Sequence, residues 1–60
     1  MKSLLTITEA AARLRISKSM AYLLVERREI PHFRVGKRIL FDEGQIEEYL
    51  RQHVVGVAHG

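Results

Sequence analysis

The sequence contains no cysteine and no tryptophan, only one proline, and no long apolar run. Without cysteine there can be no disulfide bridge and no thiolate metal site, which is typical of a chain in a reducing compartment. No segment approaches the roughly 20 apolar residues of a membrane-spanning helix, and the first residues lack the apolar core of a signal peptide. We therefore expect a cytoplasmic protein without a membrane partner.

The small size of the chain limits what it can do. Sixty residues form one domain at most, and such a chain buries only about 60% of the surface that its unfolded form exposes. The three histidines, His32, His53 and His59, are far apart, and no glycine-rich phosphate loop or serine elbow is present. The sequence predicts a non-enzymatic protein with no catalytic residue, no metal site and no cofactor.

Charge is concentrated in the middle of the chain. Residues 15–38 hold seven basic and two acidic side chains, whereas residues 39–60 carry a net charge of −3 within a total of +3. A basic segment flanked by an acidic one favours an anionic partner such as double-stranded DNA. The alternative is that these charges are simply solvated surface.

Two helices with a short connection are predicted in the first half. In the segment TITE, Thr6 and Glu9 form a capping box that begins helix one, which runs to about Leu14. Ser17 can cap helix two, predicted over residues 18–28, with an apolar face that packs on helix one. The link of three residues is typical of a helix-turn-helix.

The stretch FRVGKRILF predicts a hairpin with a cationic tip. A two-residue turn would mix apolar and basic side chains on both faces of the hairpin. A three-residue loop over residues 36–38 instead pairs Val35 with Ile39 and Phe33 with Phe41, which gives one apolar face. We therefore expect the three-residue loop.

A third helix follows the hairpin and completes one domain. Asp42 can cap this helix with Gln45 at its third position, and Ile46 lies on its apolar face. The predicted domain spans residues 1–53, and VVGVAHG, residues 54–60, is expected to be a flexible tail. The order of elements predicts a mainly α winged helix-turn-helix, with a two-stranded wing and a C-terminal helix.

Within such a fold, the second helix and the wing are the expected DNA-binding elements. The N-terminal residues of the helix reach base edges, and basic residues of the wing meet the phosphate backbone. The competing interpretations are a solvated helix face for the first group and local ion pairs for the arginines. The residues predicted to contact DNA are Lys18, Ser19, Tyr22, Leu23, Arg27, Arg34, Lys37 and Arg38.

These segments together resemble the excisionase-type winged helices, whose fold is similar to the MerR-like DNA-binding domain. The resemblance covers residues 5–50 and rests on LTITEAAARL, ISKSMAYLLVERREIP, FRVGKRILF and DEGQIEEYL. It implies that the second helix enters the major groove and that the wing approaches the minor groove or backbone. The chain departs from the family pattern at Arg15 and Arg28, where glycine is common, and at Leu23, where a basic residue is common.

The resemblance implies a recombination directionality factor, which binds and bends attachment-site DNA so that a phage or transposon integrase excises instead of integrating. The implied partners are DNA, an integrase and further copies that bind cooperatively. A stand-alone transcriptional regulator with the same fold remains an alternative. So does a protein-interaction module that uses the acidic third helix or the tail.

Overall fold

A computed structural model of the chain describes residues 3–53. The elements in chain order are β1 (Leu4–Thr6), α1 (Ile7–Leu14), α2 (Lys18–Glu26), β2 (Phe33–Val35), β3 (Arg38–Asp42) and α3 (Glu43–Gln52). Three helices and one antiparallel sheet confirm the predicted fold class, a winged helix-turn-helix. The predicted tail, residues 54–60, lies outside the described residues.

Strand β1 was not predicted, and it makes the sheet three-stranded with the order β1-β3-β2. It pairs antiparallel with the far end of β3, so that Leu5 lies opposite Phe41. Three residues that end at a helix N-cap give no recognisable strand pattern, and the pairing partner lies more than 30 residues away. The strand therefore depends on tertiary pairing and not on local propensity.

The hairpin has a two-residue turn, so the expected three-residue loop is wrong. Val35 pairs with Arg38, and only Gly36 and Lys37 lie between the strands. Gly36 has a φ of 60° and Lys37 does not have a positive φ, which is the pattern of a type II′ turn. Such turns match the twist of the flanking strands, and this preference decides the register.

This register places the apolar residues of β2 on the side of the sheet that faces away from the helices. Phe33 is 45% exposed and Val35 is 59% exposed, while Arg34 shares the helix side with Ile39. We call the side away from the helices the outer sheet face. It carries Leu4, Thr6, Phe33, Val35, Arg38, Leu40 and Asp42, and none of these residues is fully buried.

All three predicted N-caps are confirmed. Thr6 and Glu9 form the capping box, with the Glu9 amide donating to the Thr6 hydroxyl at 3.2 Å and the Thr6 amide donating to the Glu9 carboxylate at 2.9 Å. The Ser17 hydroxyl caps α2, and Asp42 caps α3 by accepting from the Gln45 amide at 3.0 Å. These caps satisfy amide groups that a helix leaves without internal partners.

Helix α1 ends at Leu14 as predicted, through a Schellman motif. Arg15 adopts the left-handed conformation, with a φ of 60° and a ψ of 41°. Its amide donates to the Ala12 carbonyl at 3.1 Å, and the Ile16 amide donates to the Ala11 carbonyl at 3.0 Å. This pair of hydrogen bonds is the signature of the motif, in which glycine usually occupies the left-handed position.

Helix α2 ends in the same way, two residues earlier than the predicted Arg28. Arg28 has a φ of 56°, and its amide donates to the Val25 carbonyl at 3.0 Å. The Glu29 amide donates to the Leu24 carbonyl, also at 3.0 Å. Each helix of the helix-turn-helix is therefore terminated by an arginine in the left-handed conformation. This conformation costs an L-residue about 1–2 kcal/mol.

Replacing either arginine with glycine should stabilise the domain. We expect Arg15→Gly and Arg28→Gly each to raise the free energy of unfolding by about 0.5–1 kcal/mol, because glycine adopts positive φ without steric cost. The matched control is Arg27→Gly, where φ is −82° and glycine should lower the free energy of unfolding. Urea denaturation followed by circular dichroism measures all three. Destabilisation by all three glycines would contradict the strain at residues 15 and 28.

The core lies between the helix side of the sheet and the three helices. Phe41 and Ile46 are its largest fully buried side chains, joined by Leu5, Ala10, Val25 and Ile30. The small side chains of Ala10, Ala11 and Ala21 are buried where α1 and α2 pack together. An ion pair between Arg13 and Glu43 also joins α1 to the beginning of α3. This packing fixes α2 with one face turned to solvent.

Candidate nucleic-acid interface

The exposed surface of α2 carries four of the predicted contact residues. Ala21 and Val25 are buried on the opposite side, so the helical repeat turns Ser19, Tyr22 and Leu23 outward. Lys18 lies on the same stripe as the buried pair, but it is exposed because it is the first residue of the helix. All four are exposed, and Tyr22 retains 44% of its accessible surface. An exposed aromatic ring with a hydroxyl group can both pack against a nucleotide and donate a hydrogen bond.

The beginning of α2 is suited to a phosphate group. Ser17 caps the Met20 amide, but the first turn of the helix contains no acidic residue. Its remaining amide groups and the helix dipole favour an anion at this end. Lys18 is the first residue of the helix and adds a full positive charge there.

Tyr22 and the tip of the wing line a common cleft. The wing consists of β2, the turn and β3, and the tip is formed by Lys37 and Arg38. The cleft lies where α1 begins, beside the part of β3 that β1 does not reach. Its lining residues are Thr6, Ile7, Tyr22, Lys37, Arg38, Ile39 and Leu40. The fold therefore brings together predicted contact residues that are 15 positions apart in sequence.

A second cleft lies between the end of α2 and strand β2, and it contains Arg34. Glu26 and Arg28 line it from the helix side, and His32 lines it from the connection to β2. The Nδ1 atom of His32 lies 2.8 Å from the Ile30 carbonyl oxygen, a contact that holds the connection in place. Arg34 thus lies beside α2, while Arg27 is exposed at the helix end and lines neither cleft.

The basic residues of this surface have no acidic partners in the described part of the chain. Within residues 3–53, the ion pairs join Arg13 to Glu43 and Arg51 to Glu48. The local ion pairs considered for Arg27 and Arg34 are therefore not formed there. The predicted contact residues whose cationic groups are left for a ligand are Lys18, Arg27, Arg34, Lys37 and Arg38.

Sequence analysis did not select every residue that the fold places at this surface. Thr6 and Ile7 line the cleft beside Tyr22, but neither has a charge or an aromatic ring that would mark it. Glu26 is exposed on the same side of α2 as Tyr22, and its carboxylate can accept a hydrogen bond from the amino group of cytosine. Thr6 and Ile7 are identified by their place in the cleft and Glu26 by its exposure on α2, and both depend on the folded structure.

Other kinds of site find no counterpart in the described residues. Among residues 3–53, no group of three or more histidine, aspartate or glutamate side chains is arranged to hold a metal ion. Over the same range, no helix is long and apolar enough to cross a bilayer.

An exposed second helix beside a cationic wing defines a winged helix-turn-helix DNA-binding domain. The chain belongs to the helix-turn-helix domain family, whose sequence model matches residues 4–54. This is a family of small DNA-binding domains that includes excisionase-like proteins and is typically non-enzymatic. Searches among curated proteins and among solved structures found no match to the chain.

Proposed function

We propose that the protein is an excisionase-type recombination directionality factor. In this role it binds and bends attachment-site DNA and so favours excision by an integrase. The observation that carries the proposal is the cleft shared by Tyr22, Lys37 and Arg38, because it joins a base-reading helix to a backbone-binding wing. The inclusion of excisionase-like proteins in the family supports the specific role.

The recognition helix α2 would dock with its N-terminal half in the major groove. Lys18 would contact a phosphate at the helix start, while Ser19 and Tyr22 would approach base edges. Leu23, which is 37% exposed, would pack against a thymine methyl group. Arg27 would reach the backbone from the helix end.

The wing would bind the sugar-phosphate backbone beside that groove. Lys37 lies in the turn, and Arg38 follows it at the first position of β3, so both side chains extend from the tip. Arg34 would reach a phosphate from the cleft beside α2. Such contacts fix the register of the protein on the duplex and carry no base information.

A single copy would discriminate poorly between DNA sequences. Few side chains of α2 can reach base edges, and each good bidentate contact supplies roughly 1–3 kcal/mol of discrimination. Adjacent sites, DNA deformation or an integrase would have to provide the remaining specificity. This requirement favours an architectural role on a multi-site DNA segment.

A salt-titrated mobility-shift assay tests the proposal. The probes are DNA segments from the chain's own genomic neighbourhood, one spanning an integrase attachment site and one spanning the upstream promoter. We expect a ladder of shifted bands on the attachment site and affinity that falls steeply with salt. A circular-permutation assay on the same segment should show a bend.

Each other result has a definite meaning. A shift confined to the promoter would overturn the excision role and favour the transcriptional regulator. The absence of a shift on both segments would overturn DNA binding at these loci and favour the protein-interaction module. Arg51→Ala controls for the general effect of removing one positive charge, because Arg51 lies on α3 and takes no part in the proposed contacts. It should give the same ladder of bands as the unaltered chain.

A further inference from the structure

The outer sheet face exposes an apolar patch that the DNA-binding proposal does not use. Leu4 is 55% exposed, Phe33 45% and Val35 59%, and Leu40 is half-buried between them. Leu40 lies opposite Thr6 on one side and opposite Phe33 on the other. Diagonal neighbours in a sheet lie about 7–8 Å apart, so these side chains form one continuous patch.

The central strand, β3, carries a positive charge at one end of this face and a negative charge at the other, so it is complementary to a second copy of itself in the reverse direction. Arg38, Leu40 and Asp42 alternate along β3 and therefore lie on the same face. Neither charged residue has an ion pair within residues 3–53. One carboxylate oxygen of Asp42 accepts from the Gln45 amide, which leaves the other oxygen available.

We infer that the outer sheet face binds the same face of a second copy of the chain in a two-fold pair. The two-fold axis lies midway between the two sheets, perpendicular to β3 and level with Leu40. It makes the two β3 strands run antiparallel. Arg38 of each copy then faces Asp42 of the other, and Leu40 and Phe33 each meet their own counterparts. A two-fold axis parallel to β3 would instead place Arg38 on Arg38 and Asp42 on Asp42. Charge therefore selects the antiparallel arrangement.

The dimensions of stacked sheets fit this pairing. Two sheets that pack face to face lie about 10 Å apart, with the side chains of both filling the gap. The Phe33 rings meet at the centre, where aromatic pairs add to the burial of apolar area. The long side chain of Arg38 spans enough of the gap to reach a carboxylate on the opposite sheet.

The small size of the patch sets the strength of the contact. Four apolar side chains are far fewer than the roughly 20–30 residues per side of a stable interface. The free chain therefore associates only weakly. Because a two-fold contact closes at two copies, it produces pairs and not an open filament. The pair belongs to the free chain, since bound DNA would engage Arg38 at the tip of the wing.

The test uses the full chain without DNA, so it does not depend on the proposed function. Amide spectra recorded by NMR from micromolar to millimolar concentration should show shifts that grow with concentration at β2 and β3. Phe33→Glu places like charges at the centre of the pair and should weaken association at least tenfold. Leu40→Glu is the second variant, and it should have the same effect.

The matched control is Leu50→Glu, which makes the same charge change at a leucine of α3 that is 42% exposed. It should associate as the unaltered chain does. Dispersed amide spectra establish that each variant is folded. Spectra of the unaltered chain that do not change with concentration would overturn the inference. Association that survives both Phe33→Glu and Leu40→Glu, or that Leu50→Glu removes, would overturn it as well.

Discussion

Replacing Lys37 and Arg38 together with alanine should weaken binding to a single DNA site at least tenfold near 0.15 M salt. Both residues lie at the tip of the wing and have no ion pair in the described part of the chain. The slope of log K against log salt is negative, and each phosphate contact that is lost reduces its magnitude by about 0.9. The magnitude of the slope should therefore decrease by about 1.8. Fluorescence anisotropy across a salt series measures both quantities.

The control must remove the same charge elsewhere. Arg13→Ala combined with Arg51→Ala also removes two positive charges, but both arginines pair with glutamates away from the proposed interface. This variant should keep nearly the full salt slope. Equal losses in the two double variants would show that net charge, and not the wing, determines affinity. A probe with one site excludes any contribution from contacts between copies.

Phe41→Ala should leave the domain largely unfolded. Phe41 is fully buried in the central strand, and removing such a ring costs about 3–5 kcal/mol. A chain of this length has roughly 3–9 kcal/mol of total stability, at 0.05–0.15 kcal/mol per residue. The melting temperature followed by circular dichroism should therefore fall by more than about 12 °C.

Phe33→Ala provides a matched control in the neighbouring strand. Phe33 is 45% exposed on the outer sheet face, so its removal should cost less than about 1 kcal/mol in dilute solution. The comparison also tests the register, because the three-residue loop would bury both rings on one face. Similar losses from the two substitutions would contradict the observed pairing of Phe33 with Leu40.

Local chemistry explains which parts of the fold the sequence could predict. The caps at Thr6, Ser17 and Asp42 depend on side chains within three residues of their partners, so the pattern alone reveals them. Arg15 and Arg28 adopt the left-handed conformation that glycine usually supplies at a helix end. The hydrogen bonds of the motif hold that conformation despite its steric cost.

The errors arose where distant pairing decides the structure. The apolar alternation of the hairpin suggested one clean face, but the helix side of β3 packs against α1 and α3, and Phe41 lies opposite Leu5 of β1. On the other side of β3, the two-residue turn places Phe33 opposite Leu40. Once another strand supplies the partner, the preferred turn at Gly36 sets the register of β2.

The candidate site was predictable in its charges and its exposed helix face. Five basic residues of the predicted set remain without acidic partners in the described chain. The sequence could not show that Tyr22 and the wing tip would share a cleft with Thr6 and Ile7. That juxtaposition depends on how α1 packs against both α2 and the sheet.

The pairing of β1 with β3 also affects how the chain is made. Leu4 and Leu5 meet their partners at positions 42 and 41, and the Glu43 amide donates to the Ser3 carbonyl at 3.0 Å. During synthesis, the first strand must wait until residue 42 has emerged from the ribosome. The two helices can form earlier, but the sheet and its core close only after β3 has emerged. A nascent chain whose emerged part ends before residue 41 would therefore present a helical pair whose apolar face is open to chaperones.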